Sequence, residues 1–589
     1  MQQALQYLKT YFGYDTFRLG QSQVIENILH NNDTLVIMPT GGGKSLCYQI
    51  PALCMEGTTI VISPLISLMK DQVDMLVSSG IPAAFINSSL SFEEVQDTMY
   101  QVRNGQIKLL YIAPERLENE RFTRELAQLR VPLIAIDEAH CISHWGHDFR
   151  PSYRSIQQLL HLWEVKPTVI ALTATATEEV SEDIRQLLSI DNDHTFITGF
   201  ARDNLKFSVL LGENKEAFIK KYVKANGNEA GIIYAATRKS VESVYEMLHK
   251  VGVSVAKYHG GMFEEDRTYE QNRFLNDEVQ IMVATNAFGM GINKTNVRYV
   301  LHYNMPRNME SYYQEAGRAG RDGLASECIL LYSSSDEQTQ RFLIDQAQDR
   351  SRIPLELNKL HKMIDYCHTE RCLQSYIVEY FGDELTANCN RCANCTDDRP
   401  QQDVTTDAQK VLSCIVRMGQ KFGKQLTASV LAGSRSKKVT EFNFHKLPTY
   451  GILKPMNAKE IANFIEFLIS EKLIAVNNGQ FPTLSISDTG REVLLGEQKV
   501  LRKETRIPQT TIEQNDPLFE VLRSVRKEIA DREKVSPFVV FSDKSLKDMC
   551  IRRPKNSAQF LEVSGVGESK LEKYGKTFID TIQQFITQE

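Results

Sequence analysis

The chain has 589 residues, too many for one hydrophobic core, so we expect roughly three to five domains. Its 42% hydrophobic and 24% charged residues exclude a mostly disordered or collagen-like chain. No apolar run approaches the ~18 residues of a membrane span, and the N-terminus lacks a secretory pattern, so we expect a cytoplasmic protein without a membrane partner. The net charge of −6 neither indicates nor excludes nucleic-acid binding, because a local channel of basic residues matters more for binding than the summed charge of the chain.

Short apolar runs rich in β-branched residues alternate with longer amphipathic stretches from the N-terminus to Ser333. This alternation predicts parallel sheets with helices on both faces, whose ligands bind at the carboxyl ends of the strands. We expect two such α/β domains, residues 1–204 and 205–340. The predicted strands are Thr34–Met38, Thr59–Ser63, Lys108–Ile112, Leu133–Asp137 and Thr168–Thr173 in the first, and Ala230–Tyr234, Ser254–Tyr258, Gln280–Thr285 and Tyr299–Tyr303 in the second.

Helical patterns dominate the chain after Ser333, and we expect three smaller units there. One carries a cysteine cluster, one combines helices with a β-hairpin, and one is helical throughout. In chain order these units are residues 341–402, 403–508 and 516–589, and the polar stretches Thr396–Thr406 and Lys503–Asp516 are interpreted as linkers. The strands of the hairpin are Leu473–Val476 and Thr483–Ile486, joined through Asn477, Asn478 and Gly479.

The segment Met38–Ser45, MPTGGGKS, follows a predicted strand and precedes a predicted apolar helix. Its glycines let backbone N–H groups converge on phosphate oxygens, Lys44 can reach the β- and γ-phosphates, and Ser45 can hold Mg²⁺. Met38 stands where the strict pattern has its first glycine. The alternative is a glycine-rich turn, which the strand–loop–helix context disfavours. The candidate nucleotide-binding residues of this loop are Thr40, Gly41, Gly42, Gly43, Lys44 and Ser45.

Two adjacent acids, Asp137 and Glu138, end the apolar strand Leu133–Ile136. At the carboxyl edge of the sheet, Asp137 can bind Mg²⁺, and Glu138 can orient and deprotonate the attacking water. Two adjacent acidic residues on their own usually lie in a solvent-exposed turn without a catalytic role. Their position at a strand end, after the phosphate loop, favours catalysis.

A pair of arginines, Arg318 and Arg321, lies near the end of the second predicted α/β domain. If this segment is helical, the two side chains share one face and can reach across a cleft to the γ-phosphate. A solvated helix face is the alternative, and the complete set of motifs favours the catalytic interpretation.

The segment after Asp137–His140 is rich in aromatic and charged residues and has no helical or strand period. Bases stack on exposed aromatic rings, and arginine supplies phosphate or cation–π contacts, so this loop is a candidate DNA contact. The alternative is that Trp145 belongs to a core, for which so charged a loop is poorly suited. The candidate residues are Trp145, His147, Asp148, Phe149 and Arg150.

Four cysteines are spaced as metal ligands: Cys372, Cys389, Cys392 and Cys395. Overlapping C-x₂-C turns present sulfurs on one side of a knuckle, and a tetrahedral Cys₄ set is a closed structural zinc geometry. From the residues alone, an iron–sulfur cluster is an alternative, and Cys367 or His368 could replace a ligand. Local disulfides are disfavoured, because three cysteines this close cannot all pair without strain.

The order of these motifs resembles superfamily 2 helicases, and specifically bacterial RecQ DNA helicases. The segment Phe12–Gln21 resembles their adenine-recognition segment, which implies that Tyr14 stacks on the base while Arg18 and Gln21 contact it. Cys141–Pro151 resembles the aromatic-rich loop that couples DNA binding to hydrolysis. The other matching segments are Pro39–Ser45, Ser63–Leu68, Ala113–Arg116, Asp137–His140, Thr173–Ala176, Tyr234–Arg238, Ala284–Gly291 and Gln314–Arg321.

The resemblance implies a fold of two tandem RecA-like domains followed by a zinc-binding helical subdomain, a winged-helix domain and a small all-α HRDC domain. It implies an ATP- and Mg²⁺-dependent 3′→5′ DNA helicase acting in recombination, repair and replication-fork processing. It favours zinc, with Cys372 as first ligand, and it adds His140 to the coupling residues and Gln314 to the catalytic ones. The implied partners are single-stranded and partially duplex DNA, with single-stranded-DNA-binding protein as a candidate, for a monomer associated with the nucleoid.

Other classes of function stay open at this point. A translocase, remodeller or RNA helicase would keep every motor motif, although the aromatic loop and the C-terminal units disfavour it. A scaffold that uses ATP as a switch would be expected to lack Glu138 or the arginines. The basic segments Gly433–Lys438 and Arg552–Lys555 are candidate DNA contacts, but short basic runs are usually solvated faces.

Overall fold

Two parallel sheets carry the first half of the chain, and three smaller units follow them, in a computed structural model. The structure describes residues 1–289, 294–346, 349–384, 387–477, 482–503, 517–533 and 535–588. The predicted fold class, two RecA-like domains followed by smaller helical units, is confirmed. One hydrophobic cluster extends from the first sheet through the second to the helices around Leu360 and Leu373, so both domains pack on the same core.

The first sheet is fully parallel and is buried on both faces, as the continuous apolar runs predict. Its strands are β1 (Thr34–Ile37), β2 (Thr59–Ile62), β3 (Ala83–Ile86), β4 (Leu109–Ile112), β5 (Leu133–Ile136), β6 (Thr168–Thr173) and β7 (Thr195–Ile197). They are ordered β3-β4-β2-β5-β6-β1-β7. All five predicted strands are present, and β3 and β7 are additions at the edges.

Helices cover both faces of this sheet. They are α1 (Gln2–Phe12), α2 (Gln21–Leu29), α3 (Leu46–Cys54), α4 (Ile66–Ser78), α5 (Phe92–Arg103), α6 (Glu120–Ala127), α7 (Ser155–Leu160) and α8 (Glu178–Leu188). Short 3₁₀ turns occupy Pro114–Glu118, Ala139–Ile142, Pro151–Arg154 and Asn192–His194. A capping box between Ser91 and Glu94 starts α5, since each residue's side chain accepts the other's backbone N–H.

The second sheet is also parallel, with the order β10-β11-β9-β12-β13-β8 among the described residues. Its strands are β8 (Leu205–Leu211), β9 (Ala230–Tyr234), β10 (Val255–Tyr258), β11 (Ile281–Ala284), β12 (Val297–His302) and β13 (Ser326–Tyr332). Its helices are α9 (Lys215–Ala225), α10 (Arg238–Lys250), α11 (Glu264–Leu275), α12 (Met309–Ala316) and α13 (Ser334–Asp345). The four predicted strands are present, and β8 and β13 form the edge that the sequence analysis missed.

The next two units are mainly helical. Their helices are α14 (Ile353–His368), α15 (Leu373–Tyr380), α16 (Thr405–Arg417), α17 (Lys424–Leu431), α18 (Lys437–Glu441), α19 (Ala458–Ser470) and α20 (Asp488–Leu495), with 3₁₀ turns at Arg350–Arg352 and Phe444–Lys446. Their strands are β14 (Gln401–Asp403), β15 (Ile474–Asn477), β16 (Thr483–Ile486) and β17 (Leu501–Lys503). The predicted hairpin is confirmed as β15–β16, while residues 478–481 of its turn lie outside the described residues.

The interpretation of Thr396–Thr406 as a linker is wrong for its second half, where Gln401–Asp403 form β14 and Thr405 begins α16. Residues of β14 pair antiparallel with β17, so Gln401 lies opposite Lys503 and the two ends of the winged-helix unit are joined. This pairing joins segments that lie a hundred residues apart in the sequence. The polar composition of one segment therefore could not predict it. Most of the second predicted linker, residues 504–516, lies outside the described residues.

The C-terminal unit is helical, as predicted. Its helices are α21 (Pro517–Glu533), α22 (Pro537–Val540), α23 (Asp543–Arg552), α24 (Ser557–Leu561), α25 (Glu568–Lys570) and α26 (Lys576–Gln588), with a π turn at Leu571–Gly575. Helical spacing predicts Leu518, Leu522, Val525 and Ile529 in its core; three of them lie there, and Val525 packs against the core partly buried. Among the described residues, no helix is both long and apolar enough to cross a membrane.

Candidate active site and metal centre

The phosphate loop lies between β1 and α3, at the carboxyl edge of the first sheet. Gly41 and Gly43 adopt φ values of +83° and +85°, which favour glycine. The Lys44 ammonium donates to the Met38 carbonyl at 3.1 Å. Met38 is buried in the core, and a Cβ on Gly42 would lie 2.6 Å from the Met38 Cγ atom. The methionine therefore fills the base of the loop, and its backbone oxygen holds the lysine.

Two carboxylates face this lysine from the end of β5. Burial lowers the pKa of Lys44, while Glu138 and Asp137 act in the opposite direction. Burial, together with the neighbouring Glu138 charge, raises the pKa of Asp137 to about 7. A buried carboxylate beside a phosphate loop fits a divalent cation, which prefers oxygen ligands and favours the ionised form. Ser45 and Asp137 would hold Mg²⁺ with the nucleotide.

Glu138 has a backbone conformation rare for its residue type, with φ +49°. Strained backbone persists where the surrounding structure over-determines it, often at functional sites. Its Oε2 atom lies 3.4 Å from His140 Nδ1, which also lies 2.9 Å from Thr173 Oγ1. Burial holds the pKa of His140 well below its ordinary value, so the ring stays neutral at pH 7. Within the described part of the chain, Glu138 Oε2 is buried without a hydrogen-bond partner, so the proposed base lies beside a neutral histidine with this oxygen uncommitted.

The segment of Arg318 and Arg321 is not helical, so the condition under which the two arginines would share a helix face is not met. Helix α12 ends at Ala316, and Gly320 adopts φ +57°, which no right-handed helix continues. The arginines lie in the turns that follow. A Cβ on Gly41 would lie 3.5 Å from the Arg321 Cα atom, so this arginine loop, residues 317–323, packs on the phosphate loop.

The arginine loop is buried as well as close to the phosphate loop. Burial and the neighbouring Arg318 charge lower the pKa of Arg321 to about 9. Within the described part of the chain, Nε and Nη1 of the buried Arg318 have no hydrogen-bond partner. Gln314 donates to Thr175 Oγ1 across the cleft at 3.0 Å. The site therefore concentrates cationic groups that an anionic ligand would neutralise.

Sequence reasoning missed one cation of this site, Arg202. Its guanidinium donates to the Thr40 carbonyl of the phosphate loop at 2.5 Å and to carbonyls of the arginine loop. It belongs to none of the motifs, and its backbone-carbonyl partners are distant in sequence.

The proposed adenine-recognition residues lie beside the phosphate loop. Arg18 Nη1 donates to the Gly41 carbonyl at 2.7 Å, and Gln21 Nε2 donates to the Gly43 carbonyl at 3.0 Å. The Gln21 oxygen accepts the Arg18 backbone N–H, and the Tyr14 ring is exposed. The structure therefore brings these residues together with the phosphate-binding elements.

The aromatic-rich loop, Cys141–Pro151, leaves Trp145 50% exposed, which excludes the core interpretation. Phe149 is half-buried, with the His144 ring 5.3 Å away and the Arg154 guanidinium 5.2 Å above it. Asp148 pairs with Arg150 at 3.1 Å. The exposed half of the Trp145 side chain is available for stacking, and the His144 ring lies edge-on 6.5 Å away.

This loop connects the active site to the second domain and to α14. The His147 ring stacks on His140, the neighbour of Glu138, with centroids 4.4 Å apart. The Trp145 carbonyl accepts from the Lys359 ammonium at 3.1 Å, and Lys359 also pairs with Glu310 of α12 at 2.8 Å. A movement at Trp145 can therefore reach both Glu138 and α12. Lys359 was not predicted, because its role depends on a contact 214 residues away.

The four predicted cysteines form one group, with sulfurs all within 4.8 Å of one another. Cys389 and Cys395 sulfurs are 3.9 Å apart, and those of Cys372 and Cys392 are 4.0 Å apart. Zn–S bonds of ~2.3 Å give tetrahedron edges of ~3.8 Å, so the sulfurs fit zinc. Cys372 caps the start of α15.

The alternative ligands Cys367 and His368 lie outside this group. His368 Nδ1 lies 3.0 Å from the Ile364 carbonyl, and its ring packs edge-on against Tyr332. Cys367 is buried in the core, and burial raises the pKa of its thiol well above the ordinary value.

The basic segments of the C-terminal units are on the surface. Arg435, Lys437 and Lys438 are exposed at the start of α18. Arg552 pairs with Asp548 at 3.0 Å, so part of its charge is already compensated.

Five family models match the chain one after another. They are DEAD/DEAH box helicase (residues 18–184), Helicase conserved C-terminal domain (214–323), RecQ zinc-binding (334–396), RQC domain (398–511) and HRDC domain (515–582).

Relatives match the chain over nearly its whole length. It is 55% identical over 579 residues to the ATP-dependent DNA helicase RecQ of Bacillus subtilis, covering 98% of each chain. The protein of the same name from Haemophilus influenzae is 41% identical over 597 residues, covering 99% of this chain and 96% of that protein. The one from Pasteurella multocida is 40% identical, covering 99% and 94%. With this similarity along the whole chain, the protein belongs to the RecQ family of ATP-dependent DNA helicases.

Proposed function

We propose that the chain translocates 3′→5′ on single-stranded DNA and unwinds duplex DNA by hydrolysing ATP in the cleft between its two α/β domains. The observation that carries this proposal is the packing of the arginine loop on the phosphate loop, with Gly41 against the backbone of Arg321. An ATP held there has one domain at each side of its phosphates. Hydrolysis then alters the contact between the domains, which drives translocation.

Hydrolysis is divided between residues of both domains. Lys44 binds the β- and γ-phosphates, and Glu138 takes a proton from the attacking water. Arg318 and Arg321 stabilise charge that develops on the transferred phosphoryl group, and Gln314 helps to orient the water. Mg²⁺, when bound by Ser45 and Asp137, neutralises phosphate charge. Tyr14, Arg18 and Gln21 bind the adenine.

The aromatic-rich loop couples DNA to this chemistry. A base that stacks on Trp145 fixes the loop, and the stacked His147 and His140 rings transmit the change to Glu138. Phe149, Asp148 and Arg150 hold the loop in shape. The support for this role is the exposure of Trp145 combined with the contacts of its backbone to Lys359.

The remaining units handle the duplex. We assign residues 341–402 to the zinc-binding subdomain, 403–508 to the winged-helix domain and 516–589 to the HRDC domain, after motor domains 1–204 and 205–340. The protein acts as a monomer on nucleoid DNA in recombination, repair and replication-fork processing. Single-stranded-DNA-binding protein is a candidate partner, because it covers the strand on which the enzyme moves.

Strand separation on 3′-tailed, 5′-tailed and blunt duplexes, with Lys44→Ala as control, tests the proposal. We expect ATP-dependent unwinding only of the 3′-tailed substrate and none by the variant. DNA-stimulated hydrolysis without separation on any substrate would instead indicate a translocase or remodeller.

A further inference from the structure

We propose that Arg202 is a positioning residue that joins the arginine loop to the phosphate loop and so stabilises the closed ATP cleft. The inference rests on the proposed hydrolysis of ATP in this cleft. Arg202 lies in the segment that connects the two α/β domains, immediately before β8, and it is 7% exposed.

One guanidinium contacts the main chain of both domains. Its Nη1 atom donates to the Thr40 carbonyl at 2.5 Å and to the Gly317 carbonyl at 3.4 Å. Its Nη2 atom donates to the Ala319 and Gly320 carbonyls at 3.2 and 3.3 Å. These partners belong to the phosphate loop on one side of the cleft and to the arginine loop on the other.

The chemistry of this position requires arginine. A planar guanidinium offers several donors in a fixed fork, whereas lysine offers one compact charge on a flexible stem. The four acceptors are neutral carbonyl oxygens, so no carboxylate among them compensates the buried charge. Burial accordingly lowers the pKa of Arg202. A cation held in this way is costly to bury, which points to a role other than stability.

The contact with Thr40 crosses between the domains, whereas the other contacts do not. Asn204, two residues later, donates to the Gly320 and Leu324 carbonyls at 2.8 and 2.9 Å. Strand β8 then pairs with β13, which directly follows the arginine loop. Although it precedes the proposed domain boundary at residue 205, this segment is therefore bonded to the second domain and moves with it. Opening the cleft must break the Arg202–Thr40 bond and can leave the three bonds to the arginine loop intact.

The consequence is control of the position of the catalytic arginines. With Arg202 in place, the two loops are in close contact: a Cβ on Gly317 would lie 3.4 Å from Thr40 Cβ, and a Cβ on Gly41 would lie 3.5 Å from Arg321 Cα. Without the Arg202 side chain, the arginine loop keeps its own fold but is no longer held in a fixed position relative to the phosphate loop. A displacement of about 1 Å at a reacting centre costs about 100-fold in rate.

Steady-state DNA-stimulated hydrolysis by Arg202→Ala, Arg202→Lys and Asn204→Ala tests this role. Asn204→Ala is the matched control, because Asn204 bonds the same loop without reaching the phosphate loop. We expect Arg202→Ala to lower kcat by about 10- to 100-fold while KM for ATP changes less than about threefold. Arg202→Lys restores part of kcat, and Asn204→Ala stays within about threefold of wild type.

Closure itself gives a second readout. Energy transfer between dyes placed by non-cysteine chemistry, one on each α/β domain, reports closure when ADP and aluminium fluoride bind. We expect Arg202→Ala to lose this change and Asn204→Ala to keep it. Should Arg202→Ala fail to fold, Arg202→Lys carries the test, because it retains the charge and most of the volume but cannot hold both loops.

The outcomes separate the two proposals. Wild-type kcat and closure in both Arg202 variants, with an active wild-type enzyme, would overturn the role of Arg202 alone. An equal loss of kcat in Arg202→Ala and Asn204→Ala, with closure of the cleft intact in both, would also overturn the role of Arg202. A wild-type protein that does not hydrolyse ATP would instead refute the proposed function.

Discussion

At the residue scale, the sharpest prediction concerns Glu138. A general base contributes ~10²–10⁴ in rate, so we expect Glu138→Gln to lower kcat by at least about 100-fold. The glutamine keeps the volume of the side chain, and ATP binding should stay near wild type because Lys44 and the loop glycines are unchanged. Single-turnover hydrolysis and binding of a fluorescent nucleotide check both expectations. The exposed Glu93→Gln on α5 is the control, and near-wild-type hydrolysis by Glu138→Gln would reject this base.

A second prediction at this scale concerns the metal ligands. The Cys392–Cys395 turn is joined to the second sheet, because the Ala393 N–H donates to the Phe207 carbonyl of β8 at 2.9 Å. We expect Cys395→Ser to lose zinc and to lower the thermal midpoint by several degrees, since metal binding contributes folding free energy. Zinc release to a colorimetric chelator and thermal melting measure this. Cys54→Ser, half-buried and outside the group, should retain the metal, and a zinc-loaded Cys395→Ser would contradict the ligand set.

At the element scale, the aromatic-rich loop should act on DNA-stimulated hydrolysis only. Trp145 is exposed while its backbone is bonded to Lys359, so Trp145→Ala removes a stacking surface without opening the loop. We expect hydrolysis without DNA to stay unchanged and its stimulation by single-stranded DNA to fall at least about tenfold, since stacking contributes ~1–3 kcal/mol per base. Titrations of hydrolysis with DNA test this. Trp163→Phe is the control, and full stimulation in Trp145→Ala would exclude the coupling role.

The sequence predicts elements whose determinants are local. The phosphate loop, the acids after β5 and the cysteine knuckle are short segments whose chemistry is set by neighbours in the chain. Strand β3, with two alanines in four residues, and β7, with three residues, carry too little β-pattern to be recognised. Arg202 was missed because its partner Thr40 lies 162 residues away and contributes only a carbonyl.

At the scale of the whole molecule, the C-terminal HRDC unit is packed on both motor domains. Arg523 of α21 donates to the Asn228 carbonyl at 3.1 Å, and Lys527 donates to the Asp277 carbonyl at 3.4 Å. On the first domain, a Cβ on Gly13 would lie 2.7 Å from the Gly567 backbone nitrogen. Gly13 directly precedes Tyr14 of the proposed adenine-recognition segment. The HRDC unit therefore contacts the first domain directly beside the segment that we propose to bind adenine.

Removing the Arg523 and Lys527 contacts to the second domain should weaken the docking of this unit without unfolding it, because, among the described residues, only the Arg526–Asp277 ion pair at 3.7 Å then remains of these charged contacts of α21. Neither Arg523 nor Lys527 belongs to the HRDC core, so the double variant Arg523→Ala/Lys527→Ala should keep its helices. We expect a larger radius of gyration by small-angle X-ray scattering, and a shift of wild type in the same direction in high salt, which screens partly exposed charges. Arg532→Ala, an exposed arginine on the same helix, is the control. Identical scattering of the double variant and wild type would show that the remaining contacts, among them the Arg526–Asp277 ion pair and the backbone packing around Gly13, suffice to hold the unit in place.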